Sequence, residues 1–317
     1  MPATLHLGGG YVKCNFASCL AVEQSKNIEM SMAAQLFGGP WTERKLSVVR
    51  RYLETYAQAL KNQAFERIYI DAFAGSGGRT DKRRLDLPLL DLPEFASVAK
   101  GSTRIALGVE PPFHRYIFIE RVAGRASQLS ILKSEFPNRN ITIVNADAND
   151  AIKDICTRTN WQATRGVAFL DPYGLQVSWD TIVAISRTRA LDAWILFPTG
   201  MGLNRLLTKR GIIRKEWQST LDRFLGTPEW RSAFYKTERT PDLFDASRQR
   251  SMKTAETEKF EIFILSRLRT IFAVVLDKSV ALTNTKGQTM YLLCFVSANP
   301  SPAVRTLATR LAGWAKA

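Results

Sequence analysis

Asp71-Ala72-Phe73-Ala74-Gly75-Ser76-Gly77-Gly78 is the segment with the most informative chemistry. It follows Arg67-Ile68-Tyr69-Ile70-Asp71, a short apolar strand that ends in a carboxylate. A glycine-rich turn at the C-terminal end of a strand lets a ligand approach the backbone closely. The carboxylate narrows the choice of ligand. Asp71 would repel a pyrophosphate, whereas it suits a cationic amino group, directly or through water. The glycines also fail the G-x-G-x-x-G spacing of dinucleotide sites, because Gly75 and Gly77 are followed by Gly78 and then Arg79-Thr80. The ligand that fits is S-adenosylmethionine (SAM), whose methionine part carries such an amino group. Asp71, Phe73, Gly75 and Gly77 are its candidate contacts; the plainer alternative is a strand-ending turn with no ligand.

Three later strand ends support a cofactor. Glu120 closes a second apolar run and can accept both ribose hydroxyls. Asp147 follows the third, where it can accept the adenine amino group, with the Ala148 amide nearby. Asp171 closes the fourth. Each carboxylate taken singly is an ordinary helix cap or turn residue. Four in succession, at the sheet edge where α/β folds bind ligands, are hard to assign to capping.

Asp171-Pro172-Tyr173-Gly174 carries the candidate catalysis. It resembles the [DN]-P-P-[YFW] motif that amino-group methyltransferases place after strand four, with Tyr173 standing where the second proline would be. The D-P-[FY]-G form recurs in transfer-RNA guanine-N2 methyltransferases. An exocyclic amine conjugated to a base is a weak nucleophile. A carboxylate and a carbonyl held by proline can accept its N–H bonds, and an aromatic ring can stack on the base. A base inside a duplex must be flipped out to reach such a pocket. The alternative is a simple Asp-Pro turn.

The elements that must position these groups follow from periodicity. Leu46, Val49, Leu53, Tyr56 and Leu60 fall at helical spacing, predicting an amphipathic helix with basic residues outside. Strands are expected at 67–71, 116–120, 141–145, 167–171 and 193–197, with helices at 122–136 and 148–160 between them. Ser102 can cap a helix running to about Gly108, and 81–100 reads as an inserted loop. Strands alternating with helices imply a parallel sheet. A helix bearing Phe260, Phe263, Ile264 and Leu268 precedes strands at 272–283 and 289–297, joined by the turn Asn284-Thr285-Lys286-Gly287. The expected fold is therefore α/β: a Rossmann-like class I methyltransferase sheet, parallel strands closed by an antiparallel hairpin, with a basic helical insert. The expected divisions are a disordered leader at 1–35, with Met30 or Met32 as an alternative start, a cofactor-binding core at 36–200, the insert at 201–252, and the last helix and closing hairpin at 253–317.

The chain of 317 residues has 44 Lys+Arg against 29 Asp+Glu, a net charge of +15. That balance points to a polyanionic partner, nucleic acid first, with a merely solubilising surface as the alternative. The insert concentrates the charge: Arg205, Lys209, Arg210, Arg214 and Lys215 are candidate phosphate contacts, and Arg79 and Arg83 form a second patch beside the cofactor turn. Trp217 and Trp230, interleaved with them, read as the insert's own core rather than as stacking platforms. With 2 histidines and 4 cysteines, a histidine-based hydrolase or a metal site is not expected, and Cys156 and Cys294 read as buried thiols. No membrane span or signal peptide is expected, which makes the cytoplasm the default.

These motifs, together with Phe37-Gly38-Gly39-Pro40-Trp41-Thr42, Gly101-Ser102 with Ile105-Ala106-Leu107, Pro111-Pro112-Phe113 and Phe197-Pro198-Thr199-Gly200, resemble the three-Cys-motif partner protein (TcmP) family over about residues 36–300. The resemblance implies a methyltransferase-like fold and a partner protein that carries the three cysteines. It supplies no substrate. Three functions follow for testing: a nucleic-acid methyltransferase acting on an exocyclic amine, a catalytically silent methyltransferase-fold subunit that binds nucleic acid within a partner complex, and a methyltransferase acting on protein or a small molecule.

Overall fold

The computed structural model describes residues 40–75, 94–209, 211–239, 249–254 and 256–306, with 308 and 310. Gly77, Arg79, Arg83, Arg210 and the 1–35 leader lie outside them.

Five strands run parallel: β1 (Glu66–Asp71), β2 (Arg115–Ile119), β3 (Ile141–Val144), β4 (Thr164–Leu170) and β5 (Leu191–Pro198). β8 (Val274–Val275), β9 (Val280–Thr283) and β10 (Thr289–Ser297) follow after the insert. The sheet order is β3-β2-β1-β4-β5-β10-β8, with β9 also paired to β10, and β10 is antiparallel to β5. A doubly covered parallel sheet is apolar on both faces, and alternate residues of one strand enter opposite cores. Ile68 and Ile70 join one core, with Ile119, Leu170 and Phe197. Tyr69 joins the other, with Phe118, Phe169 and Trp194.

α1 (Pro40–Ala59) covers the second core through Trp41, Val49, Tyr52, Leu53 and Tyr56. Its inner end is fastened by Tyr52, which donates to Asp192 on β5; Ser297 on β10 donates to the same buried carboxylate. α2 (Glu94–Leu107) is longer than expected and starts within the segment read as a loop, so Ser102 lies inside the helix and does not cap it. The 122–136 helix is split into α3 (Ala123–Leu129) and α4 (Ile131–Glu135). On the other face lie α5 (Ala148–Arg158) and α6 (Trp179–Arg187).

The insert leaves β5 through a π-type turn, Thr199–Leu203, and reaches α7 (Lys215–Leu225) and α8 (Trp230–Phe234). It then departs from the all-helical expectation. Tyr235–Arg239 (β6) and Gln249–Lys253 (β7) pair as an antiparallel hairpin. Polar, charge-rich strands of this kind carry no apolar alternation, so pattern reading passes over them. α9 (Thr257–Arg269) returns the chain to the sheet with Phe260, Ile264 and Leu268 buried. The strand expected at 272–283 is broken into β8 and β9 by Asp277-Lys278. No helix among the described residues is long and apolar enough to cross a membrane.

Candidate active site

The parallel register brings the four carboxylate-bearing strand ends to one edge. Asp71 pairs in register with Phe118 on one side and Phe169 on the other. The chain then keeps bonding to its neighbours after β1 ends: Ala72 N donates to Phe169 O at 2.9 Å and Ala74 N to Ile119 O at 3.0 Å. Glu120 N likewise donates to Val144 O at 3.0 Å. The turn is thus threaded between the ends of β4 and β2, and it closes at Gly75 with a left-handed φ of 63°. Glu120 and Asp171 each stand one residue beyond their strand.

Asp71 is fully buried; its Oδ1 accepts a weak bond from Phe73 N at 3.3 Å, and the Ser102 and Tyr69 hydroxyls stand close enough to act on the carboxyl. Its second oxygen has no partner in hydrogen-bonding geometry among the described residues. Burial is the main reason its carboxyl is pushed up to about 7. The Asp171 charge adds to the rise, while the Ser102 hydroxyl, the Phe73 amide and Lys45 oppose it. A buried carboxylate oxygen with no donor is costly. It is the feature expected where a cationic ligand group completes the site.

Asp171 meets a residue that sequence reading missed. Lys45 of α1, 126 positions away, lies 2.5 Å from Asp171 Oδ2. Its side chain is fully buried, while that of Asp171 is 13% exposed. The ammonium stands 5.2 Å from the Trp41 ring and 5.9 Å from that of Phe169. Burial lowers its pKa, against the raising charges of Asp171 and Asp71. α1 was expected to keep its basic residues outside. The signal that would have found Lys45 is its place between Trp41 and Val49, each four residues away on the buried face.

Tyr173 joins the same group. Burial pushes its hydroxyl up to about 12; Asp171, Glu120 and Asp71 raise it, and Arg125 of α3 lowers it. Pro172 is buried behind it, and Gly174 turns the chain away with a φ of 65°. The structure therefore brings Asp71, Glu120, Asp171 and Tyr173 together, and adds Lys45, Ser102 and Arg125.

Glu120 is 6% exposed and uses one oxygen to accept from Val122 N at 2.8 Å. Asp147 is the N-cap of α5, accepting from Asn149 N at 2.9 Å, and Ala148 is buried in the first turn. Asn149 extends this cap by bonding Gln176 O, Ser178 N and Thr181 Oγ1, which ties α5 to the loop after Tyr173. Phe73 packs on the first core.

In the insert, Arg205, Lys209, Arg214 and Lys215 are exposed and form no ion pair among the described residues. Arg214 lies over Trp217 at 5.4 Å. Other cations of the insert are committed to structure. Arg231 pairs with Asp222 at 3.1 Å and lies over Trp230, while Arg223 donates to Leu175 O and Gln176 O. That last contact seats α7 on the loop leaving Asp171. Trp230 is fully buried, as expected of a core residue, and Trp217 is half-buried.

Five parallel strands closed by an antiparallel β10 that sits between β5 and β8 decide the architecture. The fold is that of a Rossmann-like class I methyltransferase. No protein-family model matches the sequence, and no curated protein matches it. Solved structures with partial likeness include protein LPL1258 of Legionella pneumophila, with a TM-score of 0.43, 14% identity, and coverage of 84% of this chain and 88% of that one. Trm1 of Pyrococcus horikoshii, solved with S-adenosyl-L-methionine, gives 0.37 and 12%, over 80% of this chain and 54% of its own. A SAM-dependent methyltransferase of Clostridium acetobutylicum gives 0.36 and 9%, over 90% and 100%.

Proposed function

We propose that the protein is a SAM-dependent methyltransferase that acts on an exocyclic amino group of a base in nucleic acid. The observation that carries the cofactor is the fully buried Asp71 carboxyl, whose Oδ2 has no hydrogen-bond partner among the described residues, at a sheet edge with further carboxylates. Asp71 would hold the ammonium of the methionine part and Glu120, through its second oxygen, the ribose hydroxyls. Asp147 and the Ala148 amide would hold the adenine, and Phe73 and Gly75 would shape the turn against it. SAM, when bound, would supply an electrophilic methyl group, whose bond to sulfur breaks as the amine takes it, leaving S-adenosylhomocysteine. Asp171 accepts an N–H bond of the acceptor amine, takes the proton that leaves as the N–C bond forms, and passes it to solvent. Tyr173 provides the ring on which the base rests.

Charge supports the polymer. Arg205, Lys209, Arg214 and Lys215 stand exposed on a segment that packs, through Arg223, on the loop leaving Asp171. A phosphate backbone docked there would bring a base toward the pocket. The family resemblance adds a three-Cys-motif protein as a partner, and the cytoplasm remains the proposed location.

The test is incubation with methyl-labelled SAM and separate pools of RNA, DNA and protein. Label in a nucleic acid is the expected result; label in protein alone overturns the substrate. SAM binding without transfer, combined with salt-sensitive nucleic-acid binding, would identify the silent subunit instead.

A further inference from the structure

We propose that Lys45 is a positioning residue that fixes Asp171 in one orientation, so that Asp171 Oδ1 is the oxygen offered to the acceptor amine. The inference rests on the methyltransferase reading of the site.

Asp71 and Asp171 extend from the neighbouring strands β1 and β4 and act on each other electrostatically. Like charges this close repel, so the direction in which Asp171 points needs a contact to hold it. The charged and titratable groups around it are few. From β1 come Asp71 and Tyr69, from the end of β2 Glu120, from the turn after β4 Tyr173, and from α3 Arg125, which acts on Tyr173. α2 contributes the neutral Ser102 hydroxyl, beside Asp71. Among the described residues, the cation in contact with Asp171 is Lys45.

The geometry gives that contact a direction. Lys45 Nζ occupies Oδ2 at 2.5 Å, and Oδ1 makes no hydrogen bond among the described residues. The lysine side chain is sealed while the aspartate side chain reaches solvent, so a substrate can approach the carboxylate from the side away from the ammonium. Stability does not account for the pair. Burying a charge is costly, and a well-packed apolar residue is often as good or better. A methionine would fill the same space against Trp41 and Phe169.

The experiment uses the full chain labelled with 13C at the aspartate carboxyls, with Asp171→Asn to assign the signal, and compares the Asp171 carboxyl resonance and methyl transfer to the accepted nucleic-acid pool in wild type, Lys45→Met and Lys45→Arg. In Lys45→Met the resonance is expected to move and broaden, as one held orientation gives way to several, and kcat to fall about tenfold or more with KM for SAM unchanged. Lys45→Arg should restore most of both, and Lys45→Gln serves if the methionine variant does not fold. An unchanged resonance, or a loss of kcat that the arginine variant does not recover, overturns the role. A resonance that moves in a protein whose wild type labels no pool would instead keep the Lys45–Asp171 contact as an orienting one and remove the methylation reading.

Discussion

Asp71→Asn should make the unliganded protein more stable at pH 8 and abolish its response to SAM. With the carboxyl raised from 3.8 to about 7 by burial, the folded protein resists its ionisation. At about 1.4 kcal/mol per pH unit, an ionised Asp71 costs the folded state about 4 kcal/mol at pH 8, as an upper bound. The sign follows from proton counting. Between about pH 4 and 7 the folded state binds the proton that the unfolded chain has lost, so this contribution to stability is full below 3.8 and is lost as pH rises through 7. Asparagine carries no charge at any pH and can donate to its neighbours. The variant should therefore gain on wild type by up to about 4 kcal/mol at pH 8, with the gain shrinking toward zero near pH 4. Urea denaturation at a series of pH values measures the difference. The second arm adds SAM. Wild type should be stabilised by about 2.7 kcal/mol at a hundredfold excess over its dissociation constant, and the variant hardly at all. An Asn variant no more stable than wild type at pH 8, or one whose advantage is independent of pH, would show that Asp71 is not a strained, unpaired carboxylate. One that still binds SAM with wild-type affinity would remove Asp71 from the cofactor site.

Other expectations follow from single contacts. Asp171→Asn should lower kcat by two orders of magnitude or so, the usual span for a positioned acid or base, while the SAM dissociation constant measured by calorimetry stays within a few-fold. Reversing Arg205, Lys209, Arg214 and Lys215 to glutamate should weaken nucleic-acid binding and flatten its salt dependence by up to about 0.9 log unit per lost phosphate contact on duplex DNA; an unchanged slope in a folded variant points elsewhere. Lys253 donates to Asn204 O and Leu207 O, each at 3.2 Å, and to Asn204 Oδ1. Lys253→Met should raise amide exchange across 204–209 and leave the sheet protected, at a cost of about 1.5–3 kcal/mol for bonds from a charged donor.

Much of the fold was legible because the parallel strands are short, apolar and buried on both faces. Tyr69-Ile70, Phe118-Ile119 and Phe169-Leu170 could hardly be anything else. What escaped was structure held by contacts distant in sequence. α2 was hidden because Pro93 precedes it in the sequence and Gly101 falls in its middle, both of which read as breakers, yet at Gly101 α2 lies close against Leu46 of α1. The β6–β7 hairpin has a polar sequence and draws its order from neighbours: Lys253 N donates to Lys209 O and Thr254 N to Phe234 O. The split at Asp277-Lys278 was visible as charge, but apolar residues on both sides masked it.

The site was legible in part, for a reason that also bears on how it works. Carboxylates at strand ends announce themselves by position, whereas a lysine in a helix looks like solvent-facing charge unless its phase is counted. Lys45 shares its face with Trp41, Val49 and Tyr52, so it had to be buried, and a buried lysine had to find an anion. Asp147 shows the converse. Its capping of α5 is real, with Oδ1 spent on Asn149, but a cap uses one oxygen and leaves the other for the edge that it shares with Glu120. Capping and ligand binding are therefore compatible in one carboxylate. The same division recurs at Glu120, which gives one oxygen to Val122, and at Asp171, which gives one to Lys45. In each case the protein holds one oxygen to set the orientation of the other. A carboxylate rotated by loss of its holding bond should lose the ligand contact proposed for it, which would set Lys45, Val122 N and Asn149 N beside the carboxylates in the proposed site.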